Sequence, residues 1–449
     1  MRQTFLKRHF IGCCFLTAVM FGNFFASAQS KPEDAASSHS QNAVRLFAAQ
    51  QELETRREIF EQVWRTINDN YYDVKFNGTD WRAVRLRFRP LIEKAANDAE
   101  FYAILDQMAG ELNDSHTRVY SAAQRDTARR QSANAGIVIG EIQSLPVVLK
   151  VAPDSDAERQ GIRPGMIVRS VNNQAIGDAI AEARKSIGAS SSPRAAQMRV
   201  FSRILAGESD SPLILNLSDS VGGKGRRFHL RRGSAPAAAS VEWRLLSANI
   251  AYLKFPRFTE ELEKEIETRL AEFKDTAALI LDLRDNRGGD GEVGLRFAAH
   301  FFRQEITVAR LITRNNLPPA PDVPMTLKTG GSLARTYEKP VVVLINEGTA
   351  STAELIANAF QEQKRAPIFG GQSCGCVLGI LAPRPLIGGE LTLSDFGFIT
   401  AKNKKLEGSG VLPDRIVPPQ IKDLRENRDE TLRQAEKYLA KHISKRFEK

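Results

Sequence analysis

The chain has 449 residues, a formal net charge of +10 at pH 7, 42% hydrophobic residues and 26% charged residues. This length predicts two to four domains, and the composition is that of a globular protein. The basic residues form no single patch, which argues against nucleic acid binding and favours solvated charge, with contact to an anionic membrane surface as an option.

The first residues have the pattern of a targeting segment. Three basic residues come first, an apolar stretch runs from Phe10 to Phe25, and Ala26-Ser27-Ala28 fits a cleavage site. We therefore predict a signal peptide at residues 1–28 and export to a periplasm or beyond. An uncleaved anchor is the alternative. No later segment has the length and hydropathy of a membrane span.

A short polar stretch and a helical region come next. Residues 29–45 are rich in Ser, Ala and charge and are expected to form a linker. Residues 46–130 are expected to be helical. Two apolar sets recur there at helical spacing: Ile59, Val63 and Ile67, then Phe101, Ile104, Leu105, Met108 and Leu112.

Short strands and Gly/Pro turns follow over residues 131–235. The most regular part is Ile167–Ile176, a strand, an Asn-Asn turn and a second strand. Together with a helical stretch near 195–205, this segment resembles a PDZ domain. The resemblance implies binding of a peptide end, with the carboxylate loop at Gly136, Ile137 and Val138. A small β domain without a ligand is the alternative.

Strands and helices alternate over residues 236–420. The predicted elements are strands at 249–255, 277–284 and 340–345, and helices at 260–273 and 293–302. This alternation predicts an α/β layer built from crossover units. Residues 421–449 are predicted to form a charged surface helix.

Ser351 is the candidate nucleophile, since it lies where the apolar strand 340–345 gives way to a helical pattern. Gly348 is expected to allow the sharp turn between the two. A helix N-terminus presents free N–H groups that can bind an oxyanion. Simple helix capping by Ser351 is the alternative.

The other parts of an acyl-transfer site have candidates as well. His116 lies in a polar turn after a helix and is the candidate base, although a lone histidine is more often structural. The candidate oxyanion donors are the backbone N–H of Thr352 and that of Gly288 or Gly289. The bland interpretation of the two glycines is an ordinary turn.

Three motifs together resemble the carboxyl-terminal processing (tail-specific) serine protease family. Asp282–Gly289 resembles its Asp-x-Arg-x-Asn-x-Gly-Gly motif, Asn346–Glu354 its nucleophile motif, and Gly410–Asp414 its Gly-Val-x-Pro-Asp motif. The resemblance implies an α/β fold: a ClpP/crotonase-like protease core, an inserted PDZ domain and an N-terminal helical region. It further implies endopeptidase activity on protein or peptide substrates, with Ser351 as nucleophile.

The chain departs from the family at the general base. Bacterial members use a Ser–Lys dyad, and Cys376 stands at the position of that lysine. A second branch, which includes the tricorn core, uses Ser-His in the helical region and a Glu before the Gly-Val-x-Pro-Asp motif. Ser115, His116 and Glu407 resemble those positions. The resemblance therefore implies that Glu407 and Ser115 orient His116. The alternative interpretation of Glu407 is a surface residue without such a role.

The mature chain would keep two cysteines, Cys374 and Cys376. They could form a disulfide or remain buried thiols, and we slightly favour thiols. The pair is too small a ligand set for a metal, and the chain lacks a His-Glu-x-x-His or Walker-type motif, so no metal and no cofactor is expected.

Two other functions compete with a Ser-His peptidase. A catalytically inactive peptide-binding scaffold of the same fold would account for the missing lysine. A peptidase with Cys376 as nucleophile is a weaker option. The sequence leaves the substrate and the oligomeric state open.

Overall fold

The computed structural model describes residues 32–130, 133–185, 187–233, 240–330 and 336–447. The predicted signal peptide lies outside them. The chain divides into two compact units, Met1–Glu54 and Thr55–Lys449. Helix α1 begins at Pro32, inside the segment predicted as a linker. Among the described residues, no helix combines the length and the apolar character needed to cross a bilayer.

The first elements are mostly helices. They are α1 (Pro32–Asn70), α2 (Trp81–Ile92), α3 (Asp98–Gly110), β1 (Arg118–Ser121) and α4 (Ala122–Arg130). Side chains cap the shorter helices: Asp80 accepts N–H groups at the start of α2, and Asn97 does so for α3. Strand β1 pairs antiparallel with β16, far along the chain. The loop that carries His116 is therefore fixed against a strand from the carboxyl-terminal part of the chain.

An antiparallel unit follows. It comprises β2 (Ile137–Ile142), β3 (Leu145–Val151), α5 (Asp156–Arg159), β4 (Ile167–Val171), β5 (Gln174–Ala175), α6 (Ile176–Lys185), α7 (Pro193–Leu205), β6 (Pro212–Ser218) and β7 (Arg226–Arg231). The sheet order is β2-β3-β4-β6-β7, with β2 at one edge. The predicted Asn172-Asn173 turn is confirmed, since both residues have positive φ. Helix α6 was not predicted.

The remaining elements build an α/β layer. They are β8 (Glu242–Leu246), β9 (Ile250–Lys254), α8 (Glu260–Glu272), β10 (Ala278–Asp282), α9 (Gly291–Ala299), β11 (Thr307–Ile312), β12 (Thr326–Lys328), β13 (Val341–Ile345), α10 (Thr352–Glu362), β14 (Ile368–Gly370), β15 (Arg384–Leu386), β16 (Gly389–Thr392), β17 (Gly397–Thr400), β18 (Arg415–Ile416), α11 (Ile421–Arg425) and α12 (Glu430–Phe447).

The central sheet has the order β18-β14-β13-β10-β9-β8, and only the β8–β9 pair is antiparallel among these described strands. Strands β10 and β13 are wholly buried, which explains their continuous apolar sequences. They run parallel in register, with Asp282 opposite Leu344. Their carboxyl ends therefore bring the 285–289 turn beside the 346–351 turn.

Helices cover both faces of the central sheet. Helices α8, α9 and α10 pack on one face, while Leu432, Ala435 and Leu439 of α12 pack on the other. The prediction of a single charged surface helix at 421–449 is thus wrong in part. The helix is interrupted after Arg425, and α12 buries an apolar stripe.

Candidate active site

Ser351 occupies a strained turn between β13 and α10. Its backbone angles are φ 56° and ψ −127°, which a non-glycine residue rarely adopts. A serine on a sharp strand-to-helix turn is the geometry of a nucleophile elbow. Gly348 does not make the sharp turn, as its φ is not positive. It is needed because Asp285 Oδ1 lies 2.7 Å from where a Cβ would stand.

The 285–289 turn lies directly against the Ser351 turn. A Cβ on Gly288 would be 2.7 Å from Ser351 Cβ and 2.8 Å from Thr352 N. Gly288 therefore supplies space. Its own N–H donates to Asn286 Oδ1 at 2.9 Å, so this predicted oxyanion donor is already occupied.

Two of the predicted oxyanion donors remain available. Within the described residues, neither the Gly289 N–H nor the Thr352 N–H has a hydrogen-bond partner. The two groups are held near each other, because Thr352 Oγ1 donates to the Gly289 carbonyl at 2.8 Å. Unpaired N–H groups beside a strained serine are the donors that an oxyanion would require.

His116 belongs to a hydrogen-bonded series of side chains. Ser115 Oγ lies 2.8 Å from His116 Nδ1 and 3.1 Å from Glu407 Oε1. A hydroxyl has one proton, and a carboxylate can only accept. If Ser115 donates to Glu407, the other contact must be the Nδ1–H of His116 donating to Ser115. The Nε2 of His116 then carries the lone pair that a general base uses.

Glu407 is held firmly. Its Oε2 accepts the Val377 N–H at 2.7 Å, and its Oε1 accepts the Ser191 hydroxyl as well as that of Ser115. Three donors around one side chain match an ionised carboxylate. The alternative of a loose surface residue does not match these contacts.

Asp114 fixes the backbone of the His116 loop. This buried carboxylate accepts the N–H of His116 at 2.7 Å and both the N–H and the hydroxyl of Thr117. Sequence reasoning missed it, although an Asp followed by N–H donors two and three residues on is the signal of an Asx turn.

Burial lowers the pKa of His116 below its usual value, while the charges of Glu407 and Asp114 oppose that shift. The lowered pKa favours the neutral form of His116.

One loop connects the nucleophile to the base, and we call it the cystine loop (Ser373–Val377). The Ser351 N–H donates to the Cys376 carbonyl at 3.0 Å, and the N–H of Val377, the residue after Cys376, donates to Glu407. In the part of the chain that the structure describes, no hydrogen bond joins Ser351 to His116 directly. Such catalytic hydrogen bonds often form only when substrate is bound.

Glu354 lies buried behind the nucleophile. Its carboxylate accepts four hydrogen bonds: the N–H groups of Ser351, Gly375 and Cys376, and the hydroxyl of Ser373. Burial raises the pKa of Glu354 to about 7, and the four donors oppose the rise. The Ser-x-x-Glu spacing is the signal of a capping box and points to this residue.

Cys374 and Cys376 form a disulfide, with their Cα atoms 5.3 Å apart. The prediction of buried thiols is therefore wrong. Two cysteines that flank a single glycine come close enough to be bridged when that glycine adopts φ +74°. A disulfide sulfur is not a thiolate, so the structure also excludes Cys376 as the nucleophile.

The predicted peptide-binding residues lie at the start of the edge strand of the antiparallel unit, where Ile137 is buried and Val138 is exposed. Gly136 has φ +75°, and Ile137 and Val138 begin the edge strand β2. Val138 stands opposite Lys150 of β3, and the Lys150 ammonium contacts the Asp285 carboxylate. The edge strand is thus one strand away from the turn that lies against Ser351.

Among the described residues, no cluster of three or more His, Cys, Asp or Glu side chains could hold a metal ion. The site combines a strained serine, a neutral imidazole and unpaired N–H groups. These are the parts of an acyl-transfer site.

Comparison with known proteins points to one family. Residues 249–417 match the model of peptidase family S41, and residues 53–110 match the tricorn protease C1 domain. A carboxyl-terminal-processing protease of Synechocystis sp. is 25% identical over 373 residues, covering 79% of this chain and 79% of the relative. The chloroplastic carboxyl-terminal-processing peptidase 2 of Arabidopsis thaliana is 25% identical over 383 residues, covering 80% of this chain and 68% of the relative.

The fold has solved counterparts. A photosystem II D1 C-terminal processing protease superposes with a TM-score of 0.58 at 22% identity, covering 82% of this chain and 94% of the other. The match to peptidase family S41 includes Ser351 and Glu407, whereas Ser115 and His116 lie outside the residues that either family model matches.

Proposed function

We propose that this chain is a serine peptidase of the carboxyl-terminal processing family and that it hydrolyses peptide bonds through Ser351, His116, Ser115 and Glu407. Ser351 attacks the substrate carbonyl, and His116 Nε2 takes the hydroxyl proton. The N–H groups of Thr352 and Gly289 stabilise the oxyanion. Protonated His116 then gives its proton to the leaving amine, and water releases the acyl group by the same steps.

The proton count at Ser115 is the observation that carries this proposal. One hydroxyl lies within hydrogen-bond distance of both His116 Nδ1 and Glu407 Oε1. With the carboxylate accepting, only one tautomer satisfies both contacts, and that tautomer leaves Nε2 as a base. A Ser–Lys mechanism has no such support, because the position of the family's lysine holds one half of a disulfide.

We further propose that the antiparallel unit is a PDZ domain that captures substrate tails. Its edge strand β2 begins at Gly136-Ile137-Val138, and α7 packs beside it. An extended peptide would add to β2 as a further strand, with its carboxylate on the N–H groups of that loop. Peptide and protein substrates are the partners that this arrangement fits.

Export is the remaining part of the proposal. The first 28 residues have a signal-peptide pattern, and the Cys374–Cys376 disulfide suits an oxidising compartment. Net positive charge suits work near an anionic membrane surface. The periplasm or the cell exterior would meet both conditions.

A series of single substitutions tests the mechanism. In an assay with an unfolded protein substrate, Ser351→Ala and His116→Ala should each lower kcat by roughly 10⁶-fold. His442→Ala is the matched control, because this histidine is exposed on α12, and it should retain full activity. Hydrolysis that survives Ser351→Ala at the wild-type rate would remove the mechanism.

A catalytically inactive peptide-binding scaffold is the second candidate. The absence of a Ser351–His116 hydrogen bond within the described residues favours it. Binding of a peptide tail without turnover, by a chain whose Ser351 resists acylating probes, would establish the scaffold instead.

A further inference from the structure

We propose that the Cys374–Cys376 disulfide positions both halves of the active site and that a dithiol reductant switches the peptidase off by opening it. The inference rests on the proposed function. It concerns the cystine loop. Backbone groups of this loop contact the nucleophile turn, the Glu354 carboxylate and the base network, which consists of Ser115, His116 and Glu407.

Two backbone groups of the cystine loop hold the nucleophile turn. The Cys374 N–H donates to the Thr349 carbonyl at 2.9 Å, two residues before the nucleophile. The Cys376 carbonyl accepts the Ser351 N–H at 3.0 Å. The two half-cystines therefore bracket the strained turn, and moving either one moves Ser351.

Two N–H groups of the cystine loop point at the Glu354 carboxylate. The Gly375 N–H donates to Oε1 at 2.6 Å, and the Cys376 N–H donates to Oε2 at 2.9 Å. Glu354 Oε2 also accepts the Ser351 N–H at 3.1 Å. Consecutive N–H groups can point at one carboxylate only in a tightly curved backbone, which a bridge between residues 374 and 376 maintains.

Two further backbone groups of the cystine loop contact Glu407 and the neighbouring Gly408. The Gly375 carbonyl accepts the Gly408 N–H at 2.8 Å, and the Val377 N–H donates to Glu407 Oε2 at 2.7 Å. Packing is close here, since a Cβ on Gly375 would lie 2.9 Å from the Gly408 carbonyl carbon. Glu407 in turn orients His116 through Ser115. The disulfide ring of residues 374–376, together with the adjoining Val377, thus positions both the nucleophile and the base.

Opening the ring frees its backbone. Without the bridge, Gly375 can visit a wide range of φ and ψ, and its neighbours are no longer held 5.3 Å apart. We expect the N–H groups that face Glu354 and Glu407 to lose their fixed directions. The rest of the core sheet lies outside the ring and should remain folded.

The chemistry of opening is ordinary thiol–disulfide exchange. Cys374 is buried at 3% exposure, whereas Cys376 is half-buried, so a thiolate of the reductant attacks the Cys376 sulfur. The S–S bond breaks, and Cys374 leaves as a thiolate that takes a proton. The second thiol of the reductant then attacks the mixed disulfide. Two protein thiols and one oxidised, cyclic reductant result, so two electrons and two protons have moved.

The test compares the oxidised full-length chain with the same chain treated with dithiothreitol. Peptide hydrolysis should show kcat falling by up to about a hundredfold on reduction, because a displacement near 1 Å costs that much. KM should change little, and reoxidation should restore kcat. The rate at which a fluorophosphonate labels Ser351 should fall and recover in parallel.

Two variants isolate this pair from the other cysteines of the sequence, Cys13 and Cys14. The Cys13→Ala/Cys14→Ala variant should lose activity on reduction as the wild type does. The Cys374→Ala/Cys376→Ala variant should have low kcat in either buffer. Circular dichroism and thermal melting should show that both remain folded.

Several results would overturn the inference. One is full kcat in a reduced sample whose Cys374 and Cys376 thiols have been verified by mass spectrometry. Another is wild-type kcat in the Cys374→Ala/Cys376→Ala variant. Global unfolding on reduction would show a general structural bond rather than a positioning one. An oxidised chain that neither hydrolyses peptides nor labels at Ser351 would instead overturn the proposed function, and this inference with it.

Discussion

Ser351 has a backbone conformation that costs about 1–3 kcal/mol in a non-glycine residue. A capping serine has no need of such a conformation, since capping residues normally have extended backbones. The strained turn instead places the Ser351 Cβ directly against Gly288 of the 285–289 turn. At the scale of single residues, this backbone is the strongest sign of catalysis.

Glycine at position 351 provides a measure of that strain. Ser351→Gly should be more stable to urea than Ser351→Ala by roughly 1 kcal/mol, because glycine adopts positive φ freely. Both variants lack the hydroxyl, so both should be inactive. Equal stability of the two variants would show that the turn relaxes and stores no strain.

The pH dependence of kcat/KM tests the role of Glu407. His116 must be neutral to accept a proton, and its pKa is lowered by burial, so activity should persist below pH 6.5 and fall on further acidification. Glu407→Gln removes a negative charge that favours the imidazolium. The acidic limb should move to still lower pH, and kcat should fall by roughly a hundredfold as tautomer control weakens.

Asp73→Asn is a matched control for that profile, because Asp73 is a carboxylate that contacts only its own loop among the described residues. The Asp73→Asn variant should leave the acidic limb of the kcat/KM profile at the same pH as in the wild type. A Glu407→Gln limb that moves to higher pH would contradict the account.

Ser351 and His116 were predicted, whereas Asp114 and Glu354 were missed although each has a local sequence signal, because their roles depend on contacts that the sequence does not show. Ser351 and His116 follow from a strand-to-helix pattern, a polar turn and family motifs. Glu354 acts through the cystine loop, about twenty residues further along the chain, so its role was not visible. The oxidation state of Cys374 and Cys376 depends on the curvature of the loop, which the sequence does not specify.

At the scale of elements, the segment 191–194, which includes the start of α7, joins the antiparallel unit to the proposed catalytic network. The Ser191 hydroxyl donates to Glu407, and Arg194 donates to the Ser373 carbonyl at 2.7 Å and the Gly408 carbonyl at 3.1 Å. Sequence patterns did not predict these contacts, because they join residues about 200 positions apart. The segment ends in α7, the helix beside the edge strand β2.

Ser191→Ala tests this connection. Loss of a hydrogen bond to a charged group should lower kcat by about tenfold through Glu407 while leaving the melting temperature nearly unchanged. Ser209→Ala is the control, since this serine is exposed in another loop of the same unit. Unchanged kinetics for Ser191→Ala would show that Glu407 does not depend on the antiparallel unit.

At the scale of the whole molecule, the central sheet is the support for both catalytic turns. Its buried strands β10 and β13 were predicted from their continuous apolar sequences. Short strands such as β15, β16 and β17 were not, because three or four residues give no periodic signal. The β1–β16 pairing that fixes the His116 loop also escaped prediction, since it joins two such strands across most of the chain.

The second face of that sheet depends on α12. Leu439 is fully buried against the sheet, so Leu439→Ala should lower the free energy of unfolding by about 2–5 kcal/mol. Urea denaturation would measure the loss. Because α12 lies on the opposite face from α10, kcat per folded molecule should be unchanged. A large fall in kcat without loss of stability would show that α12 takes part in the site.

The central claim is that His116 activates Ser351, and site-resolved labelling tests it most directly. The oxidised chain is treated with a fluorophosphonate, digested, and the adduct is located by tandem mass spectrometry. We predict an adduct on Ser351 in the wild type, none in Ser351→Ala, and labelling slowed by orders of magnitude in His116→Ala. A folded wild type with no adduct on Ser351, or equal labelling rates with and without His116, would contradict the account.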